Sequence, residues 1–199
     1  MGSNELRKRA IWQDYSGANA TGAEKDFCSV FQSAFKGTPY RIRSKPKEFK
    51  NIYVDIELPA DVLAEIYNPS GGINKHGISP DYAIDNTETN KTIYVEVKRQ
   101  DGWIEGGKRS DGRGNAHERS CKYFTPGLMK IMRAKGIHQE NALPFWTVFQ
   151  GDITRDPCRV REITCWYDEF DAHFFFWRDS KNAEPLVKHF VEKLSPLLD

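Results

Sequence analysis

Asp81, preceded by Pro80, and the pair Glu96 and Lys98 bring two carboxylates and an ammonium group into a stretch of eighteen residues. Two hard oxygen donors can hold Mg²⁺, which keeps several of its waters and needs only one or two carboxylates from a protein. A phosphodiester resists hydrolysis because its charge repels the nucleophile and its leaving alkoxide is poor. A dication held by Asp81 and Glu96 would stabilise the charge-rich transition state and acidify a water. Lys98 would reach the attacking water or the scissile phosphate. The bare spacing also fits a plainer reading, with Glu96 and Lys98 an exposed pair on a strand and Pro80-Asp81 an ordinary turn.

A second cluster follows, Arg113-Gly114-Asn115-Ala116-His117-Glu118-Arg119. Arg can donate two parallel hydrogen bonds to guanine, Asn can pair with adenine, and Glu can accept from an exocyclic amine. Arg113, Asn115, Glu118 and Arg119 therefore suit the edges of bases in a major groove. Gly112 and Gly114 would let the backbone lie close, and Ala116 is small enough to sit against a base or a thymine methyl. The same residues suit a helix start, with Asn115 as the cap and Glu118 at the third position. Both readings can hold together. Lys108, Arg109 and Lys122 are candidates for contact with the phosphate backbone.

The elements that must position these groups follow from periodicity. Thr21 and Glu24 form a capping box, and Ala23, Phe27, Val30, Phe31, Ala34 and Phe35 recur at helical spacing up to Gly37. Residues 38–58 read as mostly loop with a short strand near Ile52–Ile56, and Pro59 can start a short helix through Tyr67. Tyr82–Asp85 and Thr92–Lys98 read as strands joined by the polar turn 86–90. Period two puts Glu96 and Lys98 on one face of the second strand, with Ile93, Val95 and Val97 on the other, buried face. A loop over 100–113 leads to a helix from about Ala116 to Lys135, broken near Pro126-Gly127. A buried strand at 144–149, a helix over 156–170, a strand at 173–177 and a helix over 184–194 complete an α/β layer architecture.

Composition bounds the rest. A chain of 199 residues with 39% hydrophobic content can bury a real core as one domain, 1–199. No apolar run approaches the ~20 residues of a membrane span, and the polar N-terminus lacks a secretion signal, so a cytoplasmic protein is expected. Cys28, Cys121, Cys158 and Cys165 show no metal-binding spacing and read as packing residues. Net charge is only +1, but Lys98–Lys135 holds ten Lys/Arg against four Asp/Glu, a net +6 beside −5 for the remainder. That asymmetry focuses attraction for a polyanion on one face; a solvated basic surface is the alternative.

The chain resembles the MunI-like type II restriction endonucleases, in the EcoRI-like branch of the PD-(D/E)xK nucleases, over nearly its whole length. The resemblance rests on Ser79-Pro80-Asp81, on Lys98 to Trp103, on Gly112 to Lys122 and on Phe149 to Pro157. It implies a restriction-endonuclease-like αβββαβ core, a mixed central sheet flanked by helices. It implies Mg²⁺-dependent catalysis by Asp81, Glu96 and Lys98, with Asp81 and Glu96 as metal ligands. It also implies a homodimer on double-stranded DNA, cutting the palindrome C/AATTG after the first C to leave 5′-AATT overhangs with 5′-phosphates. Gly114, Asn115, Ala116, Glu118 and Arg119 would read the inner AATT, and Arg113 the outer pair. A cognate DNA methyltransferase is then expected beside it. A structure-selective repair nuclease of the same fold, or a sequence-specific DNA-binding protein that never cuts, would share parts of this pattern.

Overall fold

The structure, a computed structural model, describes residues 21–68, 71–101, 103–104, 108–109 and 117–199, with 103–104 and 108–109 as backbone only. Helix α1 covers 21–34. Ala23, Phe27, Phe31 and Phe35, spaced at four, fall on one stripe and are buried. Thr21 is itself helical rather than the flanking cap, a one-residue correction to the capping-box reading. Gly37 closes the segment with φ +75°, a conformation that costs a residue with a Cβ.

Strand β1 follows at Tyr40–Ser44, where a loop was expected, whereas 52–56 holds no strand and 51–55 forms turns. The sequence Tyr-Arg-Ile-Arg-Ser hides the strand because its polar positions are arginines. Arg41 and Arg43 are matched by Asp85 on the neighbouring strand, at 3.1 and 2.6 Å. Helix α2 (Ala60–Glu65) starts after Pro59, as expected, and buries none of its residues.

Strands β2 (Tyr82–Asn86) and β3 (Thr92–Arg99) form the expected antiparallel hairpin, with Tyr82 opposite Val95. Beyond β3, the segment read as loop carries a small hairpin, β4 (Trp103–Ile104) paired with β5 (Lys108–Arg109). The helix expected from 116 to 135 is two pieces. A 3₁₀ segment, Glu118–Phe124, and helix α3 (Pro126–Gly136) are separated by Thr125 in extended conformation. Pro126 forces the break, since the residue before a proline avoids the helical region. His117 occupies the cap position of the 3₁₀ segment and Glu118 is its first residue, not its third. Asn115, the cap read from sequence, lies outside the described residues.

Strand β6 (Phe145–Gln150), helix α4 (Pro157–Tyr167) and strand β7 (Phe174–Trp177) follow. The Asp156 carboxylate caps α4, accepting from the backbone N–H of Cys158 at 3.0 Å. The last helix begins at Glu184 as α5 (Glu184–His189), widens through one π turn at Phe190–Leu194 and ends as α6 (Ser195–Leu198).

The main sheet has the order β1-β2-β3-β6-β7, antiparallel across the first three strands and parallel from β3 onward. This mixed sheet, with α1 before it and α3 crossing from β3 to β6, is the expected αβββαβ core. Helix α1 and the C-terminal helices cover one face, over Ile84, Ile93, Val95, Val97, Trp146 and Val148. Helices α3 and α4 and the 3₁₀ segment cover the other, over Ala83, Tyr94, Phe145 and Phe149. Both faces of β3 are therefore buried, and Glu96, assigned to the polar face, is 5% exposed. The alternation was read correctly; the polar face is roofed rather than open. Among the cysteines, Cys28 and Cys121 are half-buried, whereas Cys158 and Cys165 are exposed, so the packing role holds for two of the four at most. No helix among the described residues is long and apolar enough to cross a membrane.

Candidate active site

The register of the hairpin builds the site. Tyr82 faces Val95, so the next row of the ladder sets Asp81 opposite Glu96. Ser44 faces Tyr82, so the same row on the other side sets Lys45 beside Asp81, and the Lys45 N–H donates to the Asp81 carbonyl at 3.0 Å. One row across three strands thus carries Lys45, Asp81 and Glu96. Lys98 joins it from two residues along β3, on the same face as Glu96.

Lys98 Nζ lies 2.7 Å from Glu96 Oε1 and 3.6 Å from Asp81 Oδ2. The three residues singled out in the sequence are thus brought together on one ammonium. Asp81 Oδ2 also accepts from the Val97 N–H at 2.9 Å, which pins the carboxylate to the edge of β3. Its other oxygen, Oδ1, takes Lys45 Nζ at 2.8 Å, and the same ammonium is 3.3 Å from Glu24 Oε2 of α1. Glu96 Oε2 accepts from the Tyr123 hydroxyl at 3.0 Å. Two buried carboxylates side by side repel unless paired, and here two ammonium groups compensate them.

The electrostatics of the surrounding groups agree with this geometry. Burial works against the charge of Lys45, but the hydrogen bond and charge of Asp81, with the charge of Glu24, hold its pKa above the ordinary lysine value. Burial and then the Glu96 charge push the Tyr123 phenol far up, so it stays protonated and donates. Among the described residues no group of three or more His, Cys, Asp and Glu encloses a metal position. The donor set is a carboxylate pair, which suits a hard cation that retains much of its own water.

Lys45, Glu24 and Tyr123 were not singled out from the sequence. Lys45 follows a strand that periodicity does not reveal, and its partner Glu24 was read only as part of a capping box. Tyr123 lies in a basic run whose aromatic residue gave no distinguishing signal.

The base-reading candidates are placed only in part. Arg113, Gly114, Asn115 and Ala116 lie outside the described residues. Glu118 and Arg119 are exposed on the first turn of the 3₁₀ segment, and Lys122 is exposed with its ammonium 5.1 Å from the centre of the Tyr123 ring. Lys108 and Arg109 lie on β5, described as backbone. His117, at the root of the segment, is fully buried, stacked on Trp166 at 5.3 Å, with Nε2 3.3 Å from Glu162 Oε2. Burial, then the nearby Arg159 charge, lowers its pKa. The segment that carries Glu118 and Arg119 is thus tied to α4 at one end and to Glu96 through Tyr123 at the other.

Comparison with known proteins places this arrangement. The family model for the type II restriction enzyme MunI matches residues 1–199. The type II restriction enzyme MunI of a Mycoplasma species is 54% identical over 202 residues, covering 100% of both chains. The crystal structure of MunI restriction endonuclease in complex with cognate DNA superposes with a TM-score of 0.81 at 54% identity. That match covers 94% of this chain and 97% of the other. Fold and relatives together define the class: a type II restriction endonuclease, a site-specific deoxyribonuclease. Within that class the chain belongs to the MunI family.

Proposed function

We propose that this restriction endonuclease acts as a homodimer on double-stranded DNA, cutting C/AATTG after the first C to leave 5′-AATT overhangs with 5′-phosphates. One observation carries the chemistry: the Asp81 and Glu96 carboxylates meet on Lys98 Nζ at the edge of a paired hairpin. Type II restriction enzymes generally need a divalent metal, and the carboxylate pair fits Mg²⁺, so Asp81 and Glu96 are its proposed ligands. Mg²⁺ there would supply positive charge to the phosphoryl transition state and acidify a water.

The chain's own groups do the rest. The Val97 N–H fixes the Asp81 carboxylate, and Tyr123 orients Glu96. Lys98 holds the attacking water and offsets negative charge as it develops on the phosphate. Gly114, Asn115, Ala116, Glu118 and Arg119 read the inner AATT; Arg113 reads the outer C·G pair through guanine. Lys108, Arg109 and Lys122 contact phosphates and set position rather than sequence. A palindrome read by a two-fold dimer places one catalytic centre on each strand. The relative whose structure matches is in complex with cognate DNA, which supports DNA as the substrate here. Work on cytoplasmic DNA further calls for a cognate methyltransferase to shield the host's own sites.

Digestion of a phage genome with Mg²⁺, followed by sequencing of the fragment ends, tests this reading. Discrete fragments ending in 5′-AATT after a C are expected. Ends at junctions or nicks would support a structure-selective repair nuclease, and no cutting a DNA-binding protein.

A further inference from the structure

We propose that Lys45 is a further functional member of this centre, an ammonium that offsets Asp81 for the arriving phosphodiester and yields Asp81 to the divalent cation. The inference rests on the nuclease reading and deepens it. Lys45 sits in the ladder row of Asp81 and Glu96 because β1 pairs in register with β2. It leaves that strand with φ +47°, in the left-handed region that disfavours a side chain. A strained backbone at a lysine is consistent with a demand on where its ammonium points.

Its partners define the role. Asp81 has one oxygen committed to the Val97 N–H at 2.9 Å and the other to Lys45 at 2.8 Å. A cation that ligates Asp81 through Oδ1 must therefore share that oxygen with Lys45 or displace it. Glu24 gives the ammonium a second seat, at 3.3 Å, so it can leave Asp81 without being stranded. The side chain is 52% exposed, which leaves it free to swing, while Lys98, at 16%, is confined between the two carboxylates. The division of labour follows. Lys98 serves the reacting phosphate, and Lys45 balances Asp81 until metal does.

Two measurements on the full-length protein test this, neither of them cleavage. In the first, binding to a cognate duplex is measured in EDTA for the wild type and for Lys45→Ala, with Lys45→Arg as the conservative control. Lys45→Ala is expected to bind about tenfold more weakly and Lys45→Arg close to normally. In an Asp81→Asn background the same Lys45→Ala change should cost much less, because the charge it offsets is gone. A loss of equal size in both backgrounds would make Lys45 an ordinary phosphate contact and overturn the proposal, as would no loss in either.

In the second, Mn²⁺ binding is titrated calorimetrically without DNA. Lys45→Ala should bind the ion several-fold more tightly, because a competitor for Asp81 has been removed. Unchanged or weaker binding contradicts the proposal. Should Asp81→Asn bind Mn²⁺ as well as wild type does, the metal assignment itself fails, a result distinct from failure of the Lys45 role.

Discussion

The two ends of the central sheet bury ionisable groups with different partners. At the end where β2 begins, Asp81 and Glu96 are buried and each has an ammonium within ion-pair distance. At the far end, imidazoles meet strand backbones: His138 Nε2 lies 2.6 Å from the Thr92 carbonyl of β3, and His173 Nδ1 lies 2.9 Å from the Phe145 carbonyl of β6. Burial holds both histidines below their ordinary pKa, His173 down to about 4. There the imidazoles lose their charge, and the buried carboxylate of Asp85 is locked by Arg41, Arg43 and the Thr92 hydroxyl; at the other end the carboxylates share lysine ammonium groups. Balanced charge can be handed to a substrate and a metal ion, whereas a discharged histidine only closes backbone hydrogen bonds. The difference separates the end proposed to be reactive from a structural one within a single sheet.

The largest expected effect comes from the reactive end. Asp81→Ala or Glu96→Ala should lower the cleavage rate by about four orders of magnitude or more, ~5 kcal/mol of transition-state stabilisation. The variants should still fold, losing about 1–3 kcal/mol because the Val97 N–H or the Tyr123 hydroxyl is left without its acceptor. Single-turnover cleavage alongside calorimetry checks both halves, and retained turnover would break the comparison. The apolar face should behave conversely. Phe31→Ala removes a fully buried ring in contact with Phe27, Trp146 and Phe190. It should cost roughly 3–5 kcal/mol of stability. Denaturant melts measure that loss, and the protein still folded in the cold should cut at a near-normal rate.

The structural end makes a prediction about pH. His173 titrates at about 4 when folded and near the ordinary imidazole value when unfolded. The unfolded state therefore binds more protons between those values. Its contribution is complete above about pH 6.5 and is lost as pH falls toward 4, by up to about 3 kcal/mol. His173→Asn should flatten that part of the stability profile, as followed by urea titration from pH 7 to pH 4. An unchanged slope would show that this imidazole is not kept neutral by the fold. The smallest effect belongs to Tyr123→Phe, which deletes one hydrogen bond to Glu96. Cleavage should slow by about tenfold, ~1.4 kcal/mol, with cognate binding preserved.

What the sequence made legible follows the same division. The β2–β3 hairpin was readable because Ile93, Val95 and Val97 alternate cleanly with Tyr94, Glu96 and Lys98. That alternation fixes the face, and with it Glu96 and Lys98 of the centre. Strand β1 was not readable, because its arginines are satisfied by Asp85 on a partner strand distant in sequence. Losing β1 meant losing Lys45, whose place depends on register rather than on any local pattern. The break at Thr125 was anticipated from Pro126, but not the tighter 3₁₀ winding before it. That winding places Tyr123 over Glu96. The base-reading roles of Arg113 to Arg119 rest on residue chemistry and family resemblance; geometry adds only that Glu118 and Arg119 are exposed on a segment whose Tyr123 reaches Glu96.

The proposed chemistry requires Asp81 and Glu96 jointly to hold a divalent cation at a DNA strand. The most direct measurement is the anomalous scattering of Mn²⁺ in crystals of the protein with a cognate duplex. A peak within about 2.0–2.3 Å of an oxygen from each carboxylate, and beside a phosphate, is the predicted result. A peak elsewhere, or one that touches neither carboxylate, would contradict it.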